Sequence, residues 1–247
     1  MAPGIRGAAA WPARDFVASL TAMSLSVAVF GATGLVGGEC VRTLLADARF
    51  GRVLVVARRP LPIELVPDGM EAKRLETHVF ELDRLAEHAG LLAVDRVICA
   101  LGTTMRRAGS RDAFRKIDHD LPLEIARLAL ARGVPHYLLV SALGADPRSR
   151  VFYNRVKGEV ERAVLALPFR ATTIVRPSLL LGARAEVRPG ELAGKALGWL
   201  LPGRLRPVRA ADVAHVLVRE AASDRAGART IESSEIRALA RAERRTG

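Results

Sequence analysis

Hydrophobic residues along this chain form short β-branched runs that alternate with longer stretches of helical periodicity. The apolar runs predict strands at 26–30, 53–58, 96–101, 136–141 and 172–176, with weaker strands within 73–80 and at 230–232. The periodic stretches predict helices near 35–48, 83–90, 111–132, 151–166, 191–201 and 211–222. The strands are apolar throughout, which is typical of a parallel sheet covered on both faces. We therefore predict an α/β fold built on a doubly wound parallel sheet.

The length of 247 residues, 50% of them hydrophobic, suits one large domain. We expect this domain to span 23–235, with a small C-terminal substrate-binding or lid region at 176–210. The arginine-rich end at 236–247 is expected to be a frayed basic tail. Residues 1–22 lack a long apolar core, and Met23 directly precedes the first strand. We expect those 22 residues to be a disordered extension or a mis-assigned start, with a targeting peptide as the alternative.

The formal net charge of +12 changes this picture little. Only four of the 38 basic residues are lysine, and the arginines are spread along the chain instead of forming a patch. Aromatic residues make up 4% of the chain, too few for a base-stacking surface, so we expect no nucleic-acid partner. No apolar run reaches the ~18–20 residues of a membrane span. The two cysteines, Cys40 and Cys99, suit a reducing compartment, and we expect a cytoplasmic protein.

A glycine-rich turn follows the first predicted strand and opens the first predicted helix. In the segment VFGATGLVGGE, Gly31, Gly34 and Gly37 are spaced GxxGxxG. Glycines let the backbone approach a pyrophosphate, and a helix N-terminus offers it unpaired N–H groups. We expect the turn to bind a dinucleotide through these glycines and through the residues between them, Thr33, Leu35 and Val36. A purely structural strand–turn–helix is the alternative.

The end of the second predicted strand bears on the choice of cofactor. NAD-binding proteins of this kind place an acidic residue there for the ribose 2′-hydroxyl. This chain instead reads VLVVARRP, with Arg58 and Arg59 and no acid. Guanidinium groups match a phosphate in charge and geometry, which favours NADP(H) over NAD(H). Two solvated arginines in an arginine-rich protein are the alternative.

Small residues at the end of the next long strand add to the predicted cofactor site. The strand ends in CALGTT, where Leu101, Gly102 and Thr103 would let the cofactor lie close to the backbone. We also expect a cofactor contact from Arg176, at the end of the strand at 172–176.

Candidate catalytic residues lie in the strand HYLLVS and in the helix that contains FYNRVKGEVE. Tyr153 and Lys157 lie one helical turn apart on the same face, and Ser141 ends the strand twelve residues earlier. The carboxyl edge of a parallel sheet is where ligands bind, so the three side chains are expected to meet at one substrate carbonyl. In the alternative, Lys157 pairs with Glu161 and Tyr153 merely packs at the start of an ordinary helix.

This trio suits hydride chemistry at a carbonyl. A phenol is a weak acid, with an ordinary pKa of ~10 that a neighbouring ammonium lowers. Tyr153 would give its proton to the carbonyl oxygen as hydride arrives, and Ser141 would hydrogen-bond the same oxygen. Lys157 would also reach the nicotinamide ribose.

The segments GATGLVG, LGTT, VSALGAD, FYNRVKGEVE and VRPSLLLG together resemble an atypical short-chain dehydrogenase/reductase. More narrowly, they are similar to the Tat-interacting-protein-like oxidoreductases of the NAD(P)H-binding, NmrA-like group, over roughly residues 25–235. The resemblance implies an NADP(H)-binding Rossmann domain with a small C-terminal substrate region. It also implies the Ser–Tyr–Lys set named above and phosphate contacts from the loop Gly31–Gly37. A homodimer is also an expectation.

One departure leaves a second function open. The family often has a catalytic asparagine on the helix after the fourth strand, whereas this segment reads AFRKIDHDLP. The NmrA-like group also includes proteins that sense the dinucleotide without turnover. The chain is therefore expected to be either an NADP(H)-dependent oxidoreductase or a non-catalytic NADP(H)-sensing regulatory or interaction protein.

Overall fold

The computed structural model of the protein describes residues 24–65, 69, 72–181 and 206–246. Seven strands form the main sheet, and two short strands form a second sheet. Their bounds in chain order are β1 Leu25–Phe30, β2 Phe50–Ala57, β3 Leu75–Val79, β4 Arg96–Cys99, β5 His136–Val140, β6 Ala171–Arg176, β7 Leu180–Leu181, β8 Val208–Arg209 and β9 Gly227–Glu232.

Helices fill most of the connections between these strands. Their bounds in the described residues are α1 Leu35–Ala46, α2 Met105–Ala108, α3 Arg111–Arg115, α4 Leu121–Ala131, α5 Phe152–Leu165, α6 Ala210–Ala221 and α7 Ser233–Thr246. A 3₁₀ segment covers Leu82–Leu92, and a π-helical turn covers Lys116–Asp120. Two short 3₁₀ turns lie at Ile63–Leu65 and Ala72–Arg74.

The main sheet is parallel throughout, in the order β3-β2-β1-β4-β5-β6-β9. The strand order reverses between β1 and β4, which pair in register from Val27 with Arg96 to Phe30 with Cys99. At such a reversal the two flanking connections leave towards opposite faces, so a crevice opens beyond the carboxyl ends of β1 and β4. This topology confirms the predicted doubly wound sheet and locates the place where a ligand would bind.

Two apolar cores lie on the two faces of the sheet. Val27 and Val29 of β1 pack with α1 and α6 on one face, and Ala28 and Phe30 pack with the 3₁₀ segment, α4 and α5 on the other. Because both faces are covered, the last four residues of β1, Val27 to Phe30, are all buried, which explains the absence of apolar–polar alternation there in the sequence.

The structure differs from the sequence-based expectations in two elements. The single helix predicted over 111–132 is three segments, because the π turn separates α3 from α4. The frayed tail expected at 236–247 is instead most of α7, in which Ile236 and Ala240 are buried. Those two apolar side chains are one helical turn apart and dock the helix, although charged residues dominate its sequence.

Three other expectations fall on residues that the structure does not describe. They are the extension or mis-assigned start expected at 1–22, the predicted helix at 191–201 and most of the lid region at 176–210. Among the described residues, no helix has the length and apolar character needed to cross a membrane.

Candidate functional site

The glycine-rich turn joins β1 to α1 at the crevice. Gly31 has a φ of 85°, and a Cβ there would lie 2.5 Å from the carbonyl oxygen of Ala100 at the end of β4. The turn therefore accepts only glycine at this position, for both conformational and steric reasons. Helix α1 begins at Leu35, and its N-cap residue Gly34 supplies no side-chain cap. The first N–H groups of α1 are thus available to an anion, as a pyrophosphate cradle requires.

A cavity of about 410 Å³ opens beside this turn. Three parts of the chain meet there: the start of α1, the loop after β4, and the segments that carry the predicted catalytic residues. Its lining residues are Gly34, Leu35, Val36, Ala100, Leu101, Gly102, Thr103, Thr104, Met105, Arg107, Asp118, Val140, Ser141, Tyr153, Lys157 and Leu180.

Ser141 directly follows β5 and is buried, with 5% of its surface exposed. Its N–H donates to Val175 O at 2.8 Å, which ties the backbone to β6. Its Oγ, by contrast, has no hydrogen-bond partner among the described residues. A buried hydroxyl without a partner is costly, so this one is a ready donor for a bound oxygen atom.

Tyr153 lies in the first turn of α5, where its ring packs against Phe114 of α3, with centroids 5.4 Å apart and ring planes inclined by 48°. Lys157 lies one turn later and is buried, with 4% of its surface exposed. Both side chains line the cavity with Ser141. The structure thus brings together the three residues that the sequence suggested as catalytic.

A fourth cavity residue, Asp118, was not predicted. It lies in the π turn, and its side chain is fully buried. Its Oδ1 lies 2.7 Å from Lys157 Nζ, in an ion pair that is not aligned as a hydrogen bond, and its Oδ2 accepts the Thr103 N–H at 2.9 Å. Burial disfavours the ammonium, but nearby groups, the Asp118 carboxylate foremost, together outweigh it, so the pKa of Lys157 is raised above its ordinary value.

This ion pair answers the alternative in which Lys157 pairs with Glu161. Glu161 instead pairs with Arg176, whose Nε donates to Glu161 Oε1 at 3.0 Å. The only sequence signal for Asp118 was an acidic residue in the segment where an asparagine was sought. Its burial could not be read from an apparently continuous helix.

The predicted phosphate-binding arginines lie beyond the carboxyl end of β2. Arg58 and Arg59 follow Ala57 and are exposed. They are outside the set of cavity-lining residues, in the part of the fold where the ribose of the adenosine half is expected. Thr33 is exposed in the glycine-rich turn, and Gly37 is buried within α1.

Arg176, from which a cofactor contact was expected, already has charged partners within the protein. Its guanidinium is held by Glu161 and by Glu232, the latter at 2.9 Å. Hydrogen bonding to Glu161 raises the pKa of Arg176. Two carboxylates already occupy this guanidinium, and its contact with a cofactor stays a prediction.

Comparison with known proteins decides the family. A family model described as NAD(P)H-binding matches residues 31–224. The chain belongs to this NAD(P)H-binding family of atypical short-chain dehydrogenases/reductases. It is 35% identical over 228 residues to "Protein FMP52, mitochondrial" of Eremothecium gossypii, covering 89% of this chain and 99% of that protein. It is 39% identical over 178 residues to "Protein HTATIP2" of Rattus norvegicus, covering 71% of each.

Solved structures of this NAD(P)H-binding fold agree with the topology. The structure of MoeE5 in complex with UDP-glucuronic acid and NAD superposes with a TM-score of 0.66 at 19% identity, covering 83% of this chain and 75% of that one. This likeness shows the fold. The resemblance stated from the sequence motifs is thereby confirmed at the level of family and fold.

The same comparisons correct one expectation. We expected a cytoplasmic protein, and this is wrong, because the FMP52 relatives are named as mitochondrial. A low cysteine content indicates a reducing environment but does not specify a cellular compartment. It was therefore insufficient to predict a cytoplasmic protein.

Proposed function

We propose that this protein is an NADP(H)-dependent oxidoreductase that transfers hydride to or from a carbonyl or alcohol carbon of a small organic substrate. The observation that carries the proposal is the buried Ser141 Oγ, which lacks a partner in the described residues and shares a cavity with Tyr153 and Lys157. That cavity borders the glycine-rich turn, in which position 31 has no space for a side chain.

The residues around the cavity fit a nicotinamide dinucleotide. The N-terminus of α1 would hold its pyrophosphate, the loop Leu101–Thr103 would lie against its ribose, and Arg58 and Arg59 would bind a 2′-phosphate. When bound, this group supplies or accepts the hydride. Lys157 has one ion pair within the described residues, so its remaining N–H groups are available to the nicotinamide ribose.

Side chains of this protein would carry the proton. In reduction, Tyr153 donates its phenolic proton to the substrate oxygen as the carbonyl carbon gains hydride. Ser141 Oγ donates a hydrogen bond to the same oxygen and stabilises its developing charge. Packing of the Tyr153 ring against Phe114 limits its motion, so that its hydroxyl is held in one direction.

A sensing or interaction protein on the same fold is the second candidate, because the names of the FMP52 and HTATIP2 relatives state no reaction. Two measurements separate the candidates. Fluorescence titration with NADPH and NADH side by side tests binding. A steady-state screen of aldehydes, ketones and quinones with NADPH then tests turnover.

The enzyme proposal expects tighter binding of NADPH than of NADH and turnover that Tyr153→Phe abolishes. Binding without turnover of any substrate class would favour the sensor, and turnover that survives Tyr153→Phe would remove Tyr153 from its role. If the protein bound neither dinucleotide, both candidate functions would be ruled out. A homodimer stays a prediction, which size-exclusion chromatography with light scattering would test.

A further inference from the structure

Part of the cavity wall is not used by the proposed function. Met105 and Arg107 of α2 and Leu180 of β7 line the cavity together with the cofactor-binding and catalytic residues. The proposed function gives none of these three a role in holding the dinucleotide or in moving a proton. In a ligand pocket, apolar side chains hold the body of the molecule and a few polar groups fix its orientation. The three side chains are therefore candidates for contact with the substrate beyond its reacting carbonyl.

The ionic residues of the cavity wall leave one positive charge without a counter-charge. Three lining residues are ionic: Arg107, Asp118 and Lys157. Lys157 Nζ lies 2.7 Å from Asp118 Oδ1, so that pair adds no net charge to the wall. The guanidinium of Arg107 has no carboxylate partner in the part of the chain that the structure describes. The cavity thus presents one cation that is available to a ligand.

The anionic groups of the dinucleotide have candidate sites elsewhere. In the proposed function, the N-terminus of α1 holds the pyrophosphate, and Arg58 and Arg59 hold a 2′-phosphate. The loop Leu101–Thr103, which would lie against the ribose, ends before α2 begins at Met105. The charge of Arg107 is thereby left for an anionic group of the substrate.

Helix α2 holds the backbone of Arg107 in a defined place. It is a single turn, Met105–Ala108, and the side chain of its N-cap residue Thr104 accepts the Arg107 N–H at 3.3 Å. Gly109, with a φ of 78°, ends the turn. The Arg107 side chain is exposed, so it can reach a ligand in the cavity. Arg106 is exposed too, but it is not among the lining residues.

Apolar side chains beside Arg107 suit the body of the same molecule. Met105 lies two residues before Arg107 and is 37% exposed, so a large apolar side chain lies open at the cavity. Methionine is flexible and packs against apolar groups of varied shape. Leu180 adds a second apolar surface from β7. An apolar surface next to an unpaired cation favours a ligand with an apolar body and an acidic end.

We propose that the substrate is a carbonyl compound with an apolar body and a carboxylate, and that the Arg107 guanidinium binds this carboxylate. A guanidinium matches a carboxylate in charge and can donate two parallel hydrogen bonds to it. The inference rests on the proposed function and adds the substrate class to it. In reduction, the carbonyl carbon gains hydride from NADPH and its oxygen gains a proton. The carboxylate is unchanged and only orients the molecule.

Two aldehydes that differ in charge test this assignment. One is p-formylbenzoate, and the other is its methyl ester, which has the same ring and aldehyde but no charge. With NADPH, kcat/KM of the wild-type protein should be about tenfold or more higher for the acid, because a charged hydrogen-bonded pair contributes at that level. Arg107→Gln should bring the acid-to-ester ratio close to one. Arg106→Gln is the matched control and should keep the wild-type ratio.

Salt and cofactor binding provide two further measurements. Arg107 is exposed, so added salt should reduce the preference for the acid. A preference that is independent of salt would show that the charge of Arg107 is not its cause, against the proposal. Arg107→Gln should also leave the Kd for NADPH within about twofold of wild type. If it instead weakened NADPH binding and left the acid-to-ester ratio unchanged, Arg107 would be assigned to a dinucleotide phosphate, and the proposal would be overturned.

Equilibrium binding separates this test from the test of the proposed function. NADP⁺ cannot reduce an aldehyde, so calorimetric titration of the protein with either aldehyde in the presence of NADP⁺ measures binding alone. Wild type and Arg106→Gln should bind the acid more tightly than the ester, and Arg107→Gln should not. No difference between the two aldehydes in wild type, or a preference that survives Arg107→Gln, would overturn the proposal. Turnover of both aldehydes without preference would leave the proposed oxidoreductase in place and remove only the carboxylate.

Discussion

A Cβ atom on Gly37 would lie 2.2 Å from the carbonyl oxygen of Gly31. The first turn of α1 therefore lies directly on the backbone of the glycine-rich turn, with no space for a methyl group between them. The same close approach is what lets the turn present N–H groups to a ligand, so packing and binding depend on one contact.

Gly37→Ala should accordingly destabilise the protein and abolish dinucleotide binding. The added methyl must push α1 away from the turn, at a cost of about 1–3 kcal/mol in the free energy of unfolding. Chemical denaturation and NADPH fluorescence titration measure the two effects. Gly90→Ala is the control, because a Cβ at Gly90 has nothing within 4 Å. Wild-type NADPH affinity in Gly37→Ala would contradict the cradle.

Replacement of Arg58 and Arg59 by alanine tests the cofactor preference. Loss of charged hydrogen bonds to a 2′-phosphate should weaken NADPH binding by about tenfold or more. NADH binding should stay within about twofold, because NADH lacks that phosphate. Arg132→Ala, at another exposed arginine, is the control. An equal loss for both dinucleotides would show that the two arginines do not discriminate between them.

Ser141→Ala should separate stability from activity. Its Oγ is buried and has no hydrogen-bond partner in the part of the chain that the structure describes, so removing the hydroxyl should leave the free energy of unfolding unchanged or raise it by up to about 1 kcal/mol. Turnover should fall by about 100-fold, because the developing negative charge loses a donor. Thr173→Val is the contrast: Thr173 Oγ1 contacts His136 Nε2 at 2.9 Å, so that variant should lose stability and keep turnover. A clear loss of stability in Ser141→Ala would argue that its hydroxyl is structural.

The lowered pKa of His136 is expected to make the stability of the protein depend on pH. Burial, followed by the nearby charge of Arg96, lowers the pKa of His136 from 6.5 to about 4. The unfolded chain therefore takes up a proton at a higher pH than the folded protein. The resulting stability is fully present above pH ~6.5 and is lost as the pH falls towards ~4, by up to about 3 kcal/mol.

Denaturation at several pH values checks this expectation. His136→Gln retains a hydrogen-bonding side chain but cannot titrate, so its stability should vary less over the same range. His215→Gln, at an exposed histidine, should behave like wild type. Identical pH profiles for His136→Gln and wild type would remove His136 as the cause.

Much of the fold could be predicted from the sequence, because local features specify it. Apolar runs predicted the strands of the main sheet, and the stretches of helical periodicity between them predicted helices. Gly31 indicated a turn where β1 meets α1. The spacing of Tyr153 and Lys157 placed them on one helical face wherever the helix lay. Ser141 was placed with them because the carboxyl ends of parallel strands share one edge.

The charged partners could not be predicted in this way. Lys157 had Glu161 one turn away as a local partner, yet it pairs with Asp118, 39 positions earlier in the chain. Arg176 was expected to contact the cofactor, and its ion pairs with Glu161 and Glu232 were not predicted. Long charged side chains reach several neighbours, so their pairing depends on which segments the sheet brings together.

The sequence by itself thus determined the doubly wound sheet, the glycine-rich turn and the shared face of Tyr153 and Lys157, because each follows from steric or periodic rules that act over a few residues. Only the tertiary structure decided that Asp118 enters the cavity. The π turn that directs it inward alters helix register by one residue, a change that apolar periodicity does not record, and the buried lysine that it meets comes from a helix beyond the next strand.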